Sequence, residues 1–290
     1  MAAHILIALS LCVTGAGLTT GEVETVAEGF KFTEGPLWLP GGPLIFSDIP
    51  ANRMYSAPKA VFREPSHQSN GLTLDGQGRL IAAEHQARRV SRTGKDGSMT
   101  VLAGRWEGKR FNSPNDVVVR SDGMVFFTDP PYGLEGGLEG PNAELDFCGV
   151  FAVKPGKAPK LLARDFERPN GLAFSPDEKT LYVADTAQGH LRAFDAAEDG
   201  ALSNGRVFCE LPGPDGIKVD TKGNLWATAR DGVRVIDSNG ELLQTVQVPQ
   251  NPSNCCFGEA DGKTLFITAR TGVYRVTVSV PGIHPAAALK

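Results

Sequence analysis

The sequence has little that would take the protein to nucleic acid, to a lipid bilayer or to structural zinc. Lys and Arg total 29 against 33 Asp and Glu, for a formal net charge of −4, and the basic residues form no stripe. That distribution excludes the electrostatic footprint of a nucleic-acid binder. No apolar run is long enough to span a membrane. Only five cysteines occur, at Cys12, Cys148, Cys209, Cys255 and Cys256, without a CxxC pair and without histidines at zinc-finger spacing. Cys255 and Cys256 are neighbours, and a trans dipeptide holds its Cα atoms closer than disulfide geometry accepts. The cysteines read as buried hydrophobes or free thiols, with a disulfide from Cys148 or Cys209 left open. No segment keeps a helical period, and no linker, composition shift or low-complexity tract divides the chain.

What is abundant is turn chemistry. The 290 residues include 34 Gly and 20 Pro, which favours many short strands over long helices. Self-comparison finds six copies of one pattern: EGPLWLPGGPLIFSDI from Glu34, NGLTLDGQGRLIAAEH from Asn70, NDVVVRSDGMVFFTDP from Asn115, NGLAFSPDEKTLYVADT from Asn170, DGIKVDTKGNLWATAR from Asp215 and NCCFGEADGKTLFITAR from Asn254. Each opens on an acid or amide, alternates apolar residues, turns at an Asp/Gly-rich site and leaves along a second apolar strand. The anchors recur every ~36 to ~55 residues, close to the length of a four-stranded propeller blade. The intervening hairpins supply outer strands. Val23 to Phe32 has no partner hairpin and is expected to complete the last blade beside Thr264 to Val278. The fold class predicted is all-β, a six-bladed β-propeller of four-stranded antiparallel blades, with a β-sandwich carrying an appended sheet as the competing architecture.

The domain reading is a leader over residues 1–20 and a single propeller over 21–290. The run from Ile5 to Val13 and the small residues around Ala16 suit a cleaved signal peptide, which would place the protein in the periplasm or outside the cell; otherwise it is cytoplasmic.

In a propeller the innermost strands line one channel, so equivalent residues of each repeat meet around its axis. Glu34, Asn70, Asn115, Asn170, Asp215 and Asn254 would then converge. Any one of them also serves as a turn residue that bonds its own backbone. Six together need water or an ion to satisfy them. Carboxylate and amide oxygen suit calcium first, then magnesium or manganese, with zinc the least suited of the divalent ions considered.

These segments resemble the senescence-marker-protein (regucalcin)/gluconolactonase family, through EGPLW at Glu34, NSPNDVVV at Asn112 to Val119, FTDPPYG at Phe127, RPNGLAFSPD at Arg168, PDGIKVD at Pro214 and the NCCFG segment. The resemblance covers nearly the whole chain after Glu22. It implies hydrolysis of sugar lactones with one divalent metal ion at the channel mouth. It makes Glu34, Asn170 and Asp215 metal ligands, Asn115 a fourth ligand or a substrate contact, and Asp215 the general base. Arg110 and Asn112 are expected at the substrate rim, with Asn70, His85 and Tyr132 as further substrate contacts. His85 also reads as a structural histidine, Tyr132 as a turn aromatic, and Asp129 and Asp185 as structural strand ends.

No GxSxG elbow is present, which disfavours a serine hydrolase. The leading expectation is a metal-dependent lactonase acting on a small-molecule lactone, without nucleic acid or a membrane span, as monomer or dimer. Phosphotriester or organophosphate hydrolysis at the same metal, and a non-catalytic propeller scaffold, are the competing expectations.

Overall fold

The computed structural model describes residues 17–285. The leader's apolar run and Cys12 lie outside the described residues. Contacts with the last blade begin at Leu18, whose carbonyl accepts from Ser279 N, and Thr19 bridges Val278.

Six four-stranded antiparallel sheets are arranged as blades around a central axis. Their innermost strands are Thr33–Trp38, Ser69–Leu74, Val117–Val119, Pro169–Phe174, Ile217–Val219 and Pro252–Gly258. Blades one to five are each built from four strands consecutive in sequence. The sixth takes its outermost strand, Glu24–Glu28, from the start of the propeller and pairs it antiparallel to Gly272–Thr277. This closure, read from the unpaired segment Val23 to Phe32, leaves no interrupted blade.

Burial falls from the axis outward. Ser69–Leu74 and Leu80–Glu84 are buried at every position, whereas Ala60–Arg63 is mostly exposed. Neighbouring blades cover both faces of the inner strands, so alternation gives way there to near-continuous apolar sequence. Aromatic contacts join adjacent blades: Phe126 meets Phe174 edge-on with centroids 4.9 Å apart, and Trp38 stacks on Phe266 at 5.3 Å across the closure. Each such side chain contributes roughly 1.5–3 kcal/mol by leaving water.

Two insertions account for the longer repeats. A two-stranded hairpin, Arg105–Trp106 with Lys109–Arg110, lies between blades two and three. In blade three, the connection from Val125–Asp129 to Cys148–Val153 carries a short 3-10 turn at Gly137–Glu139.

Residues following the anchors bring the inner strands together. Gly71 N donates to Asn115 O at 2.8 Å and Gly171 N to Asp215 O at 3.0 Å. A Cβ at Gly171 would stand 2.2 Å from Asp215 O, so only glycine permits that approach. Hydroxyls on the second strands extend the ring: Ser47 Oγ donates to Asn70 O and Thr128 Oγ1 to Asn170 O, at 2.9 and 2.8 Å. The anchors are thereby fixed by their backbones, which frees their side chains for the channel.

Below the anchor row the channel becomes apolar. A cavity of about 140 Å3 is lined there by Leu37, Leu72, Val117, Leu172 and Phe257. The segment Pro281 to Pro285 crosses this end, with Ile283 N donating to Val219 O and the His284 ring bonding Trp38 O. Cys148, Cys209, Cys255 and Cys256 are all free thiols. No disulfide forms among the described residues.

Candidate active site

At the opposite end a cavity of about 370 Å3 opens over the anchors. Its wall contains Glu34, Asn70, Asn115, Asn170 and Asp215, together with His85, Tyr132 and Thr186, and the apolar Phe32, Ile49 and Pro50. Five of the six anchors thus share one pocket. The sixth, Asn254, stands behind it and donates from Nδ2 to Glu34 Oε2 at 3.2 Å.

The oxygen donors are oriented by their other contacts. Glu34 Oε2 also accepts from Gly35 N at 2.8 Å, which leaves Oε1 without a protein donor among the described residues. Asn170 Nδ2 donates to Thr186 Oγ1 at 3.0 Å, and Thr186 Oγ1 donates to Pro214 O at 2.6 Å. That relay commits the nitrogen of Asn170 and leaves its oxygen available. The Asn115 side-chain amide has no hydrogen-bond partner among the described residues, although the residue is buried. Asn70 places Nδ2 3.3 Å from His85 Nε2, and its buried Oδ1 is unpartnered.

Electrostatics point the same way. Desolvation, followed by repulsion from Asp116, pushes the Glu34 carboxyl up to about 7, although the Gly35 hydrogen bond pulls it down. Asp215 is raised well above its ordinary value by desolvation and then by the charges of Glu34 and Asp116; the Asn170 amide opposes this. Burial lowers the His85 imidazole to about 4, so the ring is neutral at physiological pH and suits an acceptor from Asn70.

Two mutually repelling carboxylates, with unpaired amide oxygens beside them, match the donor chemistry of a hard divalent cation. Among the described residues no group of three or more His, Cys, Asp or Glu side chains is placed to hold a metal. Any ion here would rest on Glu34 and Asp215 with amide oxygen from Asn115 and Asn170. His85 is the pocket's single imidazole and already faces Asn70, so the set is a poor one for zinc.

Arg110 and Asn112, expected at the rim, are not brought to this pocket. Arg110 belongs to the inserted hairpin, where its N donates to Glu144 Oε2 at 2.7 Å. Asn112 is fully buried: its N donates to Asp129 Oδ2, and its Nδ2 to Asp129 O and Phe147 O. It ties the loop entering blade three to the end of the next strand. Asp48 and Asp185 hold their blades' entry loops in the same manner, through Phe32 N and Arg168 N.

Thr186 was not singled out from the sequence. It follows Asp185 as His85 follows Glu84, and that repeat equivalence is the signal that would have found it.

The sequence profile of the SMP-30/gluconolactonase/LRE-like family matches residues 32–271. The chain belongs to that family. Among family relatives, it is 36% identical to a gluconolactonase of Zymomonas mobilis, over 90% of this chain and 82% of that protein. Rabbit (Oryctolagus cuniculus) regucalcin is 30% identical, over 83% of this chain and 84% of the relative. The structure of a gluconolactonase from Xanthomonas campestris superposes with a TM-score of 0.81 at 37% identity, covering 88% of this chain and 89% of the other. Among the described residues no helix is long and apolar enough to cross a membrane.

Proposed function

We propose that the protein is a metal-dependent lactonase that opens a sugar lactone by hydrolysis. The observation that carries this reading is the convergence of Glu34, Asn115, Asn170 and Asp215 on an open cavity, with donor oxygens that other protein groups leave free. An open pocket over the anchors favours an enzyme over a scaffold. The family's gluconolactonases support the lactone as substrate class.

Glu34, Asn115, Asn170 and Asp215 would hold one divalent ion, calcium being the best match to their oxygen-only chemistry. When bound, the ion supplies a positive centre that polarises the ester carbonyl. Asp215 accepts the proton of the attacking water while the water oxygen bonds to the carbonyl carbon. The same carboxyl returns that proton to the ring oxygen as the ester bond breaks, giving the hydroxy acid. Asn70, held by neutral His85, and Tyr132 on the pocket wall contact the sugar hydroxyls.

The test is proton release from glucono-1,5-lactone and a panel of other lactones, with and without chelator, for the wild type and Asp215→Asn. The chelator should abolish turnover, and the substitution should lower kcat by about 10² or more. Hydrolysis indifferent to both would overturn the mechanism.

A further inference from the structure

Two arginines lie against aromatic rings of the pocket wall and, among the described residues, away from any carboxylate partner. The Arg270 guanidinium lies over the ring of Phe32, 5.4 Å from its centroid, and that of Arg168 lies over Tyr132, also at 5.4 Å. Both rings line the cavity. Arg79, Arg89, Arg120 and Arg192 each meet a carboxylate at 3.0 Å or less. Neither Arg168 nor Arg270 has a carboxylate partner or a side-chain hydrogen bond among the described residues. Stacking on an aromatic face orients a guanidinium while leaving its in-plane N–H donors free, the geometry that suits an oxyanion.

Their backbones are fixed independently of any ligand. Asp185 Oδ1 accepts from Arg168 N at 2.9 Å. Arg270 adopts a left-handed φ of 46°, and its carbonyl accepts from both Thr33 N and Thr33 Oγ1, one residue before Glu34. Arg270 acts from the boundary of blades six and one, and Arg168 from that of blades three and four, which is the opposite side of a six-bladed ring.

We propose that Arg168 and Arg270 select a lactone that carries a carboxylate or phosphate outside its ester ring. This rests on the lactonase reading above. With the ester at the anchor residues, the anionic substituent extends toward the rim and meets one of the two stacked guanidinium groups. A neutral sugar lactone uses the same floor and leaves the arginines unanswered.

The experiment compares kcat and KM for glucono-1,5-lactone, its 6-phosphate and glucaro-1,4-lactone, at low and high ionic strength, in wild type, Arg168→Gln and Arg270→Gln. The expected result is a kcat/KM about tenfold higher for at least one anionic lactone than for the neutral one, carried by KM and reduced by salt. The affected substitution should lower that ratio about fivefold or more, and Lys at the same position should restore part of it. Preference for the phosphate or for the carboxylate identifies which oxyanion is read. A wild-type ratio near one, or substitutions that slow neutral and anionic lactones in parallel, would sink the proposal while leaving the lactonase intact. If no lactone is opened, the lactonase reading itself fails. Calorimetric binding of 6-phosphogluconate and glucarate against gluconate then decides: tighter binding of an anion-bearing acid that is lost with either arginine supports the proposal, and equal binding overturns it.

Discussion

Asn254 Nδ2 donates to Glu34 Oε2 at 3.2 Å, and this bond joins the innermost strand of the last blade to that of the first. The amide cannot turn over freely, because its Oδ1 accepts from Cys255 N at 2.9 Å and lies 3.4 Å from Lys218 Nζ. Asn254→Ala removes a hydrogen bond to a buried carboxylate, a loss of about 1.5–3 kcal/mol. Calcium affinity, measured by calorimetry, should weaken about tenfold or more. Unchanged affinity would detach Glu34 from the ion.

A cation resting on Glu34 and Asp215 would relieve the repulsion between them and stabilise the fold. At a calcium concentration about a hundred times Kd, the native state should gain about 2.7 kcal/mol. For a chain of this length that raises Tm by several degrees, and chelator should reverse it. The double variant Glu34→Gln/Asp215→Asn should show no calcium-dependent shift in a thermal melt. A shift retained there would place the ion elsewhere.

Gly171→Ala tests the inter-blade approach beneath Asn170 and Asp215. The new methyl would press on Asp215 O and on Gly216 Cα, 2.8 Å away, and backbone must move to admit it. Overpacking of this kind costs about 1–3 kcal/mol. Urea unfolding should show that loss, and calorimetry a weakened calcium site. A variant as stable and as tight as wild type would show that the ring spreads without penalty.

Asp129 offers a pH-dependent test away from the pocket. Desolvation raises its carboxyl to about 8, against an ordinary 3.8, with the Asn112 hydrogen bond opposing. The folded state therefore prefers the protonated form. Its stabilising contribution is complete below the unfolded value and is lost as pH rises through the folded one. Asp129→Asn keeps an acceptor for Asn112 N and does not titrate. Its Tm should gain on wild type between roughly pH 4 and pH 8, by about 2 °C for each ~1 kcal/mol involved. A constant difference would mean that the carboxyl titrates alike in both states.

The repeat and its anchors were legible because alternation, turn residues and an opening acid or amide are local signals, repeated six times. The closing strand Glu24–Glu28 followed from counting: one segment lacked a partner and one blade lacked a strand. Asn112 was misplaced because its side chain answers to Phe147, 35 positions away, across an insertion with no counterpart in the other repeats. Arg168 stacks on Tyr132 from the adjoining blade, and Arg270 reaches Phe32 from the far end of the chain. Neither pairing has a trace in a window of neighbouring residues.

The strand from Glu24 to Glu28 also sets an order of events. Until the chain has been made as far as Thr277, that strand has no neighbour, and the ring stays open at the place where Glu34 must meet Asn254. Asn115, Asn170 and Asp215 would all be present in a chain stopped at residue 250, yet the fourth wall of their pocket would be unsupported. The unfinished polypeptide lacks the bond from Asn254 that steadies Glu34. By the same logic, fusing the ends of the closed ring and opening it at an exposed outer turn, such as Asp237 to Gly240, would keep every anchor in place.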